Sequence, residues 1–235
     1  RKVLYVDERT GAFELVMDPS NPRHLLASTW EFRRWPWFFR SGGPGSGLWQ
    51  SWDGGETWRR VTEEEGLPEG ELGRIGLAFA ENDPRVVYAL VEAEKSALLR
   101  SDDGGQTWRA VNTETNVNDR PFYYSRIYVD PTNENRVYRV SGTLSMSEDG
   151  GRSFEEIAPW SSVHVDHHAF WAHPNGHTII SGNDGGVYIS HDRGGSWWFV
   201  ENLPLAQFYH LAVDTATPFN VYGGLQDNGS WVGPS

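Results

Sequence analysis

The sequence contains no cysteine, and this absence sets the first limits on its chemistry. Without a thiol the chain forms no disulfide, offers no cysteine nucleophile and provides no thiolate ligand for a metal. The sequence also lacks a long amphipathic helical pattern and an apolar run of the length that crosses a bilayer. Its 235 residues are enough for a sizeable core. The 26 glycines and 13 prolines are typical of a chain with many turns between short strands.

Positive charge is scarce relative to negative charge. The chain has 20 Lys and Arg residues against 32 Asp and Glu residues, which gives a formal net charge of −12. Proteins that follow nucleic-acid phosphates need clustered Lys and Arg, and anionic membrane surfaces attract the same residues. The composition therefore argues against a nucleic-acid partner and against membrane insertion. The acidic residues are spread along the chain, as on a solvated surface.

Four copies of one short phrase dominate what the sequence does contain. The pattern is Ser-x-Asp-x-Gly-x-Thr/Ser-aromatic, and the copies occupy residues 51–58, 101–108, 147–154 and 190–197. Their first residues are separated by 50, 46 and 43 positions, within the range expected of propeller blades. An internal repeat of this period predicts the architecture of the chain better than it predicts its chemistry.

Each phrase has the composition of a tight turn between two strands. Glycines such as Gly54 and Gly55 adopt positive φ without strain, and the aspartate accepts hydrogen bonds from its own turn. The terminal aromatic residue begins the next strand and is large enough to fill the space between blades. Because a catalytic site is usually built once, we interpret the repeated aspartates as structural. They are Asp53, Asp103, Asp149 and Asp192.

The phrase resembles the Asp-box, or BNR repeat, of sialidases, xyloglucanase-type glycoside hydrolases, sortilin-type Vps10 domains and Ycf48-like assembly factors. A second repeated element accompanies it, an aspartate-led turn followed by a β-rich run, at Asp18, Asp83, Asp130 and Asp214. Residues 164–169, 182–186, 207–209 and 223–230 are most similar to bacterial sortilin-like BNR proteins, which are often labelled glycosyl hydrolases. The similarity to xyloglucanase-type enzymes is more distant. The resemblance implies an exported protein of bacterial type, extracellular or periplasmic.

The repeat predicts an all-β fold, a β-propeller of four-stranded blades with Asp-box turns, as one domain over residues 1–235. We expect four blades and a partial fifth, at about residues 12–61, 74–111, 123–157, 168–200 and 207–235. Asp-box propellers, which this chain resembles, commonly have more blades than these. We therefore expect this chain to be part of a larger propeller, completed by further blades of the same protein or by a second copy.

The first departure from the repeat is an aromatic and basic insertion in the first blade. Residues 30–40 hold six aromatic residues and three arginines. Such a set suits a platform for sugar rings or for the side chains of a partner, with Arg34, Trp35 and Trp37 as candidate ligand-binding residues. The alternative is that these rings pack on their own blade and its neighbour.

The second departure is the run His164-Val165-Asp166-His167-His168. In an extended segment, alternation places His164, Asp166 and His168 on one side, a set that suits a divalent metal or an acid/base pair. The alternative is a hydrogen-bonded cluster that anchors the loop before the fourth blade. We predict Asp166 as a candidate catalytic residue and His164, His167 and His168 as ligand-binding residues, and we assign no metal and no cofactor.

The third departure is a pair of turns, Asn183-Asp184-Gly185-Gly186 and Gln226-Asp227-Asn228-Gly229. Their aspartates are 43 residues apart and so occupy equivalent places in adjacent blades. Equivalent loops open on the same face, so we expect Asp184 and Asp227 to converge with Asp166, beside Gln226 and Asn228 as ligand-binding residues. Two converging carboxylates are what an inverting glycosidase needs. The alternative is that both motifs are simply good β-turns.

These residues leave two functions open. A sialidase is disfavoured, because Ser125-Arg126-Ile127-Tyr128 lacks the proline and leading aromatic residue of that family's element and no arginine triad can be assigned. We predict a binding or scaffold propeller for a protein, peptide or glycan. The alternative is a segment of a xyloglucanase-like glycoside hydrolase that acts on a polysaccharide through paired aspartates.

Overall fold

The structure, a computed structural model, describes residues 1–203 and 205–235. Pro204, which falls between the predicted fourth and fifth blades, lies outside the described residues. The described residues form twenty β-strands in five antiparallel sheets and one short 3₁₀ turn, Glu63–Glu65. No helix in this part of the chain has the length and apolar character needed to cross a membrane.

The first sheet carries an extension that the others lack. Its strands are β1 (Thr10–Asp18), β2 (Asn21–Trp35), β3 (Phe38–Ser41), β4 (Gly47–Ser51) and β5 (Arg59–Arg60). The sheet order is β1-β2-β4-β5, and the distal half of the fifteen-residue strand β2 pairs with β3 instead. The predicted insertion is therefore a two-stranded ribbon that projects from the first sheet.

The next three sheets are four-stranded meanders in which consecutive strands pair. The second sheet contains β6 (Ile75–Phe79), β7 (Val87–Val91), β8 (Ala97–Ser101) and β9 (Arg109–Asn112). The third contains β10 (Arg126–Asp130), β11 (Asn133–Val140), β12 (Leu144–Ser147) and β13 (Glu155–Glu156). The fourth contains β14 (His167–Ala172), β15 (Ile179–Asn183), β16 (Gly186–Ser190) and β17 (Trp198–Phe199). The predicted all-β fold of four-stranded sheets is confirmed.

The fifth sheet has three strands, β18 (Phe208–Val213), β19 (Asn220–Leu225) and β20 (Ser230–Pro234). Every residue of β18 is exposed, including Leu211 at 62% and Val213 at 63%. On the first sheet, Leu15 and Met17 of β1 are likewise more than half exposed. Large apolar side chains are therefore uncovered on both terminal sheets.

The core lies between successive sheets. All five residues of β7 are buried. Val87, Ala89 and Val91 belong to the cluster shared with the first sheet, whereas Tyr88 and Leu90 belong to the cluster shared with the third. Side chains alternate between the two faces of a strand, so each face of the second sheet is covered by a neighbouring sheet. Full burial of a leucine side chain contributes about 1.5–3 kcal/mol relative to exposure.

The Asp-box turns share one hydrogen-bond pattern. Asp103 Oδ1 accepts the Ser101 hydroxyl at 2.7 Å and the Thr107 amide at 2.9 Å, and Asp103 Oδ2 accepts the Thr107 hydroxyl at 2.6 Å. The Gly105 amide donates to Ser101 Oγ at 2.8 Å. Gly104 and Gly105 have φ of 74° and 84°, which only glycine adopts without strain. Equivalent bonds to serine and threonine groups surround the other three aspartates, Asp53, Asp149 and Asp192.

The fourth copy keeps this pattern although its sequence differs. Arg193 stands where the other copies have their first glycine, and it adopts a φ of 60°. Hydrogen bonds from Ser196 and Ser190 lower the pKa of Asp192 to about 2. The carboxylate therefore remains ionised at neutral pH with both oxygens engaged by its own turn.

Antiparallel pairing sends successive turns to opposite ends of the sheets. The Asp-box turns and the turns between first and second strands lie at one end, which we call the box end. The turns between second and third strands lie at the other end with the segments that enter each first strand, and we call this the site end. It includes residues 30–46, 92–96, 118–125, 141–143, 164–166, 184–185 and 226–229.

Candidate functional site

The three predicted catalytic aspartates come together at the site end. Asp166 precedes β14, Asp184 lies in the β15–β16 turn and Asp227 lies in the β19–β20 turn. The carboxylates of Asp166 and Asp227 both lie near enough to Asp184 to raise the pKa of its carboxyl group. His168 Nε2 lies 3.3 Å from Asp184 Oδ1. Side chains of the fourth and fifth sheets thus form one cluster, which we call the aspartate cluster: Asp166, His168, Asp184 and Asp227.

Backbone contacts between sheets fix the position of Asp166. Its amide donates to Gly142 O at 3.0 Å, and the His167 amide donates to Ser141 O at 2.9 Å. These bonds join the start of β14 to the β11–β12 turn of the third sheet. Asp166 has a φ of 61°, and Asp227 has a φ of 57°. Aspartate enters this left-handed region more readily than most residues, which is one reason for its place in such loops.

Asparagines, rather than the aspartates beside them, hold the two turns. Asn183 Oδ1 accepts the Gly185 and Gly186 amides at 3.0 and 3.1 Å, and Asn183 Nδ2 donates to His164 O at 2.8 Å. Asn228 Nδ2 donates to the backbone oxygens of Asp184 and Gln226, which links the turns of adjacent sheets. The Asn side chains thereby make the hydrogen bonds that the two turns need. The neighbouring carboxylates of Asp184 and Asp227 are not used for turn formation.

The aspartate cluster differs from the Asp-boxes in what its carboxylates contact. Each box carboxylate accepts hydrogen bonds from its own turn, as Asp103 does. Among the described residues, no amide of its own turn donates to the carboxylate of Asp166, Asp184 or Asp227, and the bond to Asp166 comes from the Tyr124 hydroxyl. Turn formation therefore does not account for these three carboxylates.

Crowding of negative charge perturbs the cluster. Partial burial raises the pKa of Asp184, the His168 imidazole opposes this, and the carboxylates of Asp166 and Asp227 raise it further. Burial and the hydrogen bond to Asp166 also raise the pKa of Tyr124. The nearby negative charge therefore disfavours the ionised form of the Asp184 carboxyl group.

Two tyrosines that the sequence reasoning missed form a wall beside the cluster. The Tyr124 and His168 rings are near-parallel with centroids 5.5 Å apart, and Tyr123 meets His168 edge-on at 5.4 Å. Tyr124 is buried, whereas Tyr123 is 44% exposed. Their place in the repeat is a signal that could have identified them. Tyr123 and Tyr124 precede β10 just as Asp166 precedes β14, so they occupy the equivalent place in the preceding sheet.

The aromatic insertion reaches toward this wall. The Phe39 ring of the ribbon lies 4.7 Å from that of Phe122, and Phe122 lies 6.4 Å from Tyr123, centroid to centroid. Together with His168 these rings form a line along the site end, which we call the aromatic line: Phe39, Phe122, Tyr123 and His168. Rings at the ribbon's tip are freely exposed, with Trp37 at 83% and Trp35 at 46%, and Arg34 beside them is exposed. Trp30 instead packs against Phe13 and Phe32 on its own blade.

The remaining predicted ligand residues have structural contacts. His164 Nδ1 faces its neighbour's backbone, Val165 O, at 3.0 Å. His167 is buried against the third sheet, its Nδ1 lies 2.7 Å from Ser181 Oγ, and burial lowers its pKa to about 4. Gln226 Oε1 accepts the Gln207 side-chain amide at 3.0 Å.

The alternation expected for His164, Asp166 and His168 is interrupted, because Asp166 is in the left-handed region and β14 has a bulge after His167. Within residues 1–203 and 205–235, no group of three or more His, Asp or Glu side chains is arranged to hold a metal ion. The geometry instead offers a half-exposed acidic cluster with one imidazole and an aromatic wall.

Comparison with known proteins identifies the repeat. The model of the BNR/Asp-box repeat matches residues 99–110, the hairpin of the second Asp-box. A search of curated proteins found no match.

Solved structures of two kinds share the fold. A GH74 enzyme from Niastella koreensis matches with a TM-score of 0.57 and 18% identity over 93% of this chain and 34% of its own. YCF48 bound to D1 peptide matches with a TM-score of 0.54 and 12% identity over 96% of this chain and 69% of its own. YCF48 from Cyanidioschyzon merolae matches with a TM-score of 0.51 and 13% identity over 98% of this chain and 69% of its own.

At these identities the likeness concerns the fold. The chain has the fold of a β-propeller, with a BNR/Asp-box repeat at residues 99–110, and it spans about a third of the length of the Niastella koreensis enzyme.

Proposed function

We propose that this chain is a binding and scaffold module whose ligand, a glycan, peptide or protein, lies across the site end. One observation carries the proposal: carboxylates from adjacent sheets converge beside an exposed aromatic line without bonding their own turns. A turn-forming role would engage these oxygens locally, as in the Asp-boxes. A recognition role requires them to be open to a ligand, and the exposed carboxylate of Asp227 meets that requirement.

The insertion extends the same surface. Arg34, Trp35 and Trp37 are exposed at the tip of the ribbon, where they add planar and cationic groups to the aromatic line. A protein with this fold, YCF48, has been solved with a peptide bound, which supports recognition by such a scaffold. The resemblance to bacterial sortilin-like proteins supports an exported protein, extracellular or periplasmic.

The propeller itself is proposed to continue beyond these sheets. We treat residues 1–235 as one propeller domain with four blades and a partial fifth. The exposed apolar side chains of Leu15 and Met17 on the first sheet, and of Leu211 and Val213 on the fifth, support closure by further blades or by a second copy.

A second candidate is a segment of a glycoside hydrolase. The raised pKa of Asp184 beside a second carboxylate favours it, because one protonated and one ionised carboxyl group are what such an enzyme uses. Retaining and inverting enzymes separate their carboxyl groups by about 5–5.5 Å and 6.5–9.5 Å, and the hydrolysis assay below distinguishes this candidate from a binding module.

The test screens the chain and its D184N/D227N variant against an oligosaccharide array and a peptide array. We expect ligands of the unmodified chain to lose at least tenfold in affinity with the variant. E155Q/E156Q, which removes two exposed carboxylates from β13, is the control with the same charge change. Equal binding by D184N/D227N would contradict the assigned site. Release of reducing ends from xyloglucan by the chain, lost in D184N, would establish the hydrolase instead.

A further inference from the structure

A cation of the protein itself already lies on the aromatic wall. The guanidinium carbon of Arg120 is 5.2 Å from the centre of the Tyr123 ring and 5.6 Å from that of Tyr124. Both distances are within the range of cation–π attraction. Arg120 is exposed, and it does not occur in the ion pairs found among residues 1–203 and 205–235. The two rings are therefore a place where a guanidinium is stabilised without a carboxylate partner.

The adjoining cluster has an excess of negative charge. Asp166, Asp184 and Asp227 supply three carboxyl groups, and His168 is the one basic side chain in ion-pair contact with them among the described residues. The whole chain carries a formal charge of −12, so its field does not offset the local charge. A cationic group placed here would relieve the repulsion between the carboxylates.

We propose that the site end binds a Lys or Arg side chain of a partner polypeptide, held between the Tyr123 ring and the carboxylates of Asp184 and Asp227. This inference rests on the proposed function and names the class of ligand. A guanidinium is planar, stacks on aromatic faces and donates paired hydrogen bonds to a carboxylate. Arginine therefore matches both surfaces at once.

Two other ligand classes fit less well. A metal ion needs converging oxygen or nitrogen ligands, and the described residues contain no such group of three. A sugar ring needs an open aromatic face beside its hydrogen-bond partners. Tyr124 is 2% exposed, and the Tyr123 face already carries the Arg120 guanidinium, which a partner's guanidinium can replace with the same cation–π attraction but a neutral sugar cannot.

The test uses fluorescence anisotropy with a labelled peptide of three Gly-Arg repeats. The matched probe replaces each arginine by citrulline, which keeps the shape and removes the charge. We expect the chain to bind the arginine peptide at least tenfold more tightly than the citrulline peptide, and this preference to weaken as salt rises. Equal affinity for the two peptides would overturn the proposal.

Variants locate the binding site. D184N/D227N is expected to lose at least tenfold in affinity for the arginine peptide, whereas the charge-matched control E155Q/E156Q binds as the unmodified chain does. Y123A is expected to lose about threefold or more, because the aromatic face is removed. R120N is expected to bind more tightly, because its own guanidinium no longer competes, and asparagine tolerates the φ of 47° at this position.

The failure of this inference differs from failure of the proposed function. If D184N/D227N abolishes binding of a neutral oligosaccharide or an uncharged peptide, while the arginine peptide binds neither protein, the site is confirmed and the cationic ligand is wrong. If the arginine peptide binds D184N/D227N as tightly as it binds the unmodified chain, its contact lies elsewhere and this inference is wrong.

Discussion

At the scale of single residues, the aspartates of this chain divide into two kinds. Asp103 directs its carboxylate into its own turn, where it accepts hydrogen bonds from Gln106, Thr107 and Ser101. Asp184 directs its carboxylate toward another loop and another charge. Both stand next to glycine in sequence, so residue type alone does not separate them. Repetition separates the two kinds, because an aspartate that recurs once in every blade has a structural role in that blade.

The first prediction concerns a box aspartate. D103A should lower the free energy of unfolding by about 1–3 kcal/mol, because turn amides lose their acceptor. D119A, which alters an exposed aspartate outside the boxes, should change it by less than about 0.5 kcal/mol. Urea unfolding followed by tryptophan fluorescence measures both. If D103A is as stable as D119A, the structural role assigned to the boxes is wrong.

The second prediction concerns buried His167, whose folded-state pKa is lowered to about 4 from 6.5 by burial. The unfolded chain takes up this proton at a higher pH than the folded chain does. Stability from the neutral imidazole is therefore present above pH 6.5 and lost as the pH falls toward 4. The full loss is about 3 kcal/mol.

Urea unfolding between pH 7 and pH 4.5 tests this, in a range above the titration of the box aspartates. H167N should remove most of the pH dependence, because asparagine keeps a polar contact to Ser181 and does not titrate. The same loss of stability in H167N and in the unmodified chain would contradict the assignment to His167.

At the scale of elements, the sequence predicts the box hairpins well because their signal is local. Serine, aspartate, glycine and threonine close the turn among themselves, as around Asp103. The site end is less predictable because its contacts cross between sheets. The convergence of Asp184 and Asp227 followed from the repeat period. The wall of Tyr123 and Tyr124 did not, since it depends on how the entry to β10 packs against His168.

The asparagine of the β15–β16 turn provides the third prediction. N183A removes the acceptor for the Gly185 and Gly186 amides and the donor to His164. We expect a loss of about 1–3 kcal/mol in the free energy of unfolding, with weaker ligand binding because Asp184 is no longer held. N175A, in a turn at the box end, is the control that should change stability without changing affinity. Unchanged affinity in N183A would show that the turn does not position Asp184.

At the scale of the whole molecule, the residues that stabilise the fold and the residues proposed to bind a ligand lie at opposite ends of the sheets. The box end holds the repeated turns, and the site end holds the residues that depart from the repeat. Three buried clusters join the first four sheets in sequence. The repeat predicted this arrangement, but it could not predict which apolar faces remain uncovered, because that depends on the closure of the ring.

The fourth prediction follows from these uncovered faces. The 235-residue chain alone should self-associate as its concentration rises, since Leu211 and Val213 are more than half exposed. L211D/V213D should shift sedimentation velocity profiles toward the monomer. Exposed Val3→Asp and Tyr5→Asp substitutions, which lie before β1, are the charge-matched control. A chain that stays monomeric at all concentrations would contradict closure by association.

The central claim is that the carboxylates of the boxes and of the site end do different things, and a pH titration of the aspartate side-chain carbons by NMR tests it most directly. The account predicts that the pKa values of Asp149 and Asp192 lie near 2 because their turns donate to them, whereas the pKa of Asp184 is raised above that of an ordinary aspartate because burial and neighbouring carboxylates disfavour its charge. Titration of Asp184 together with the box aspartates would contradict the account.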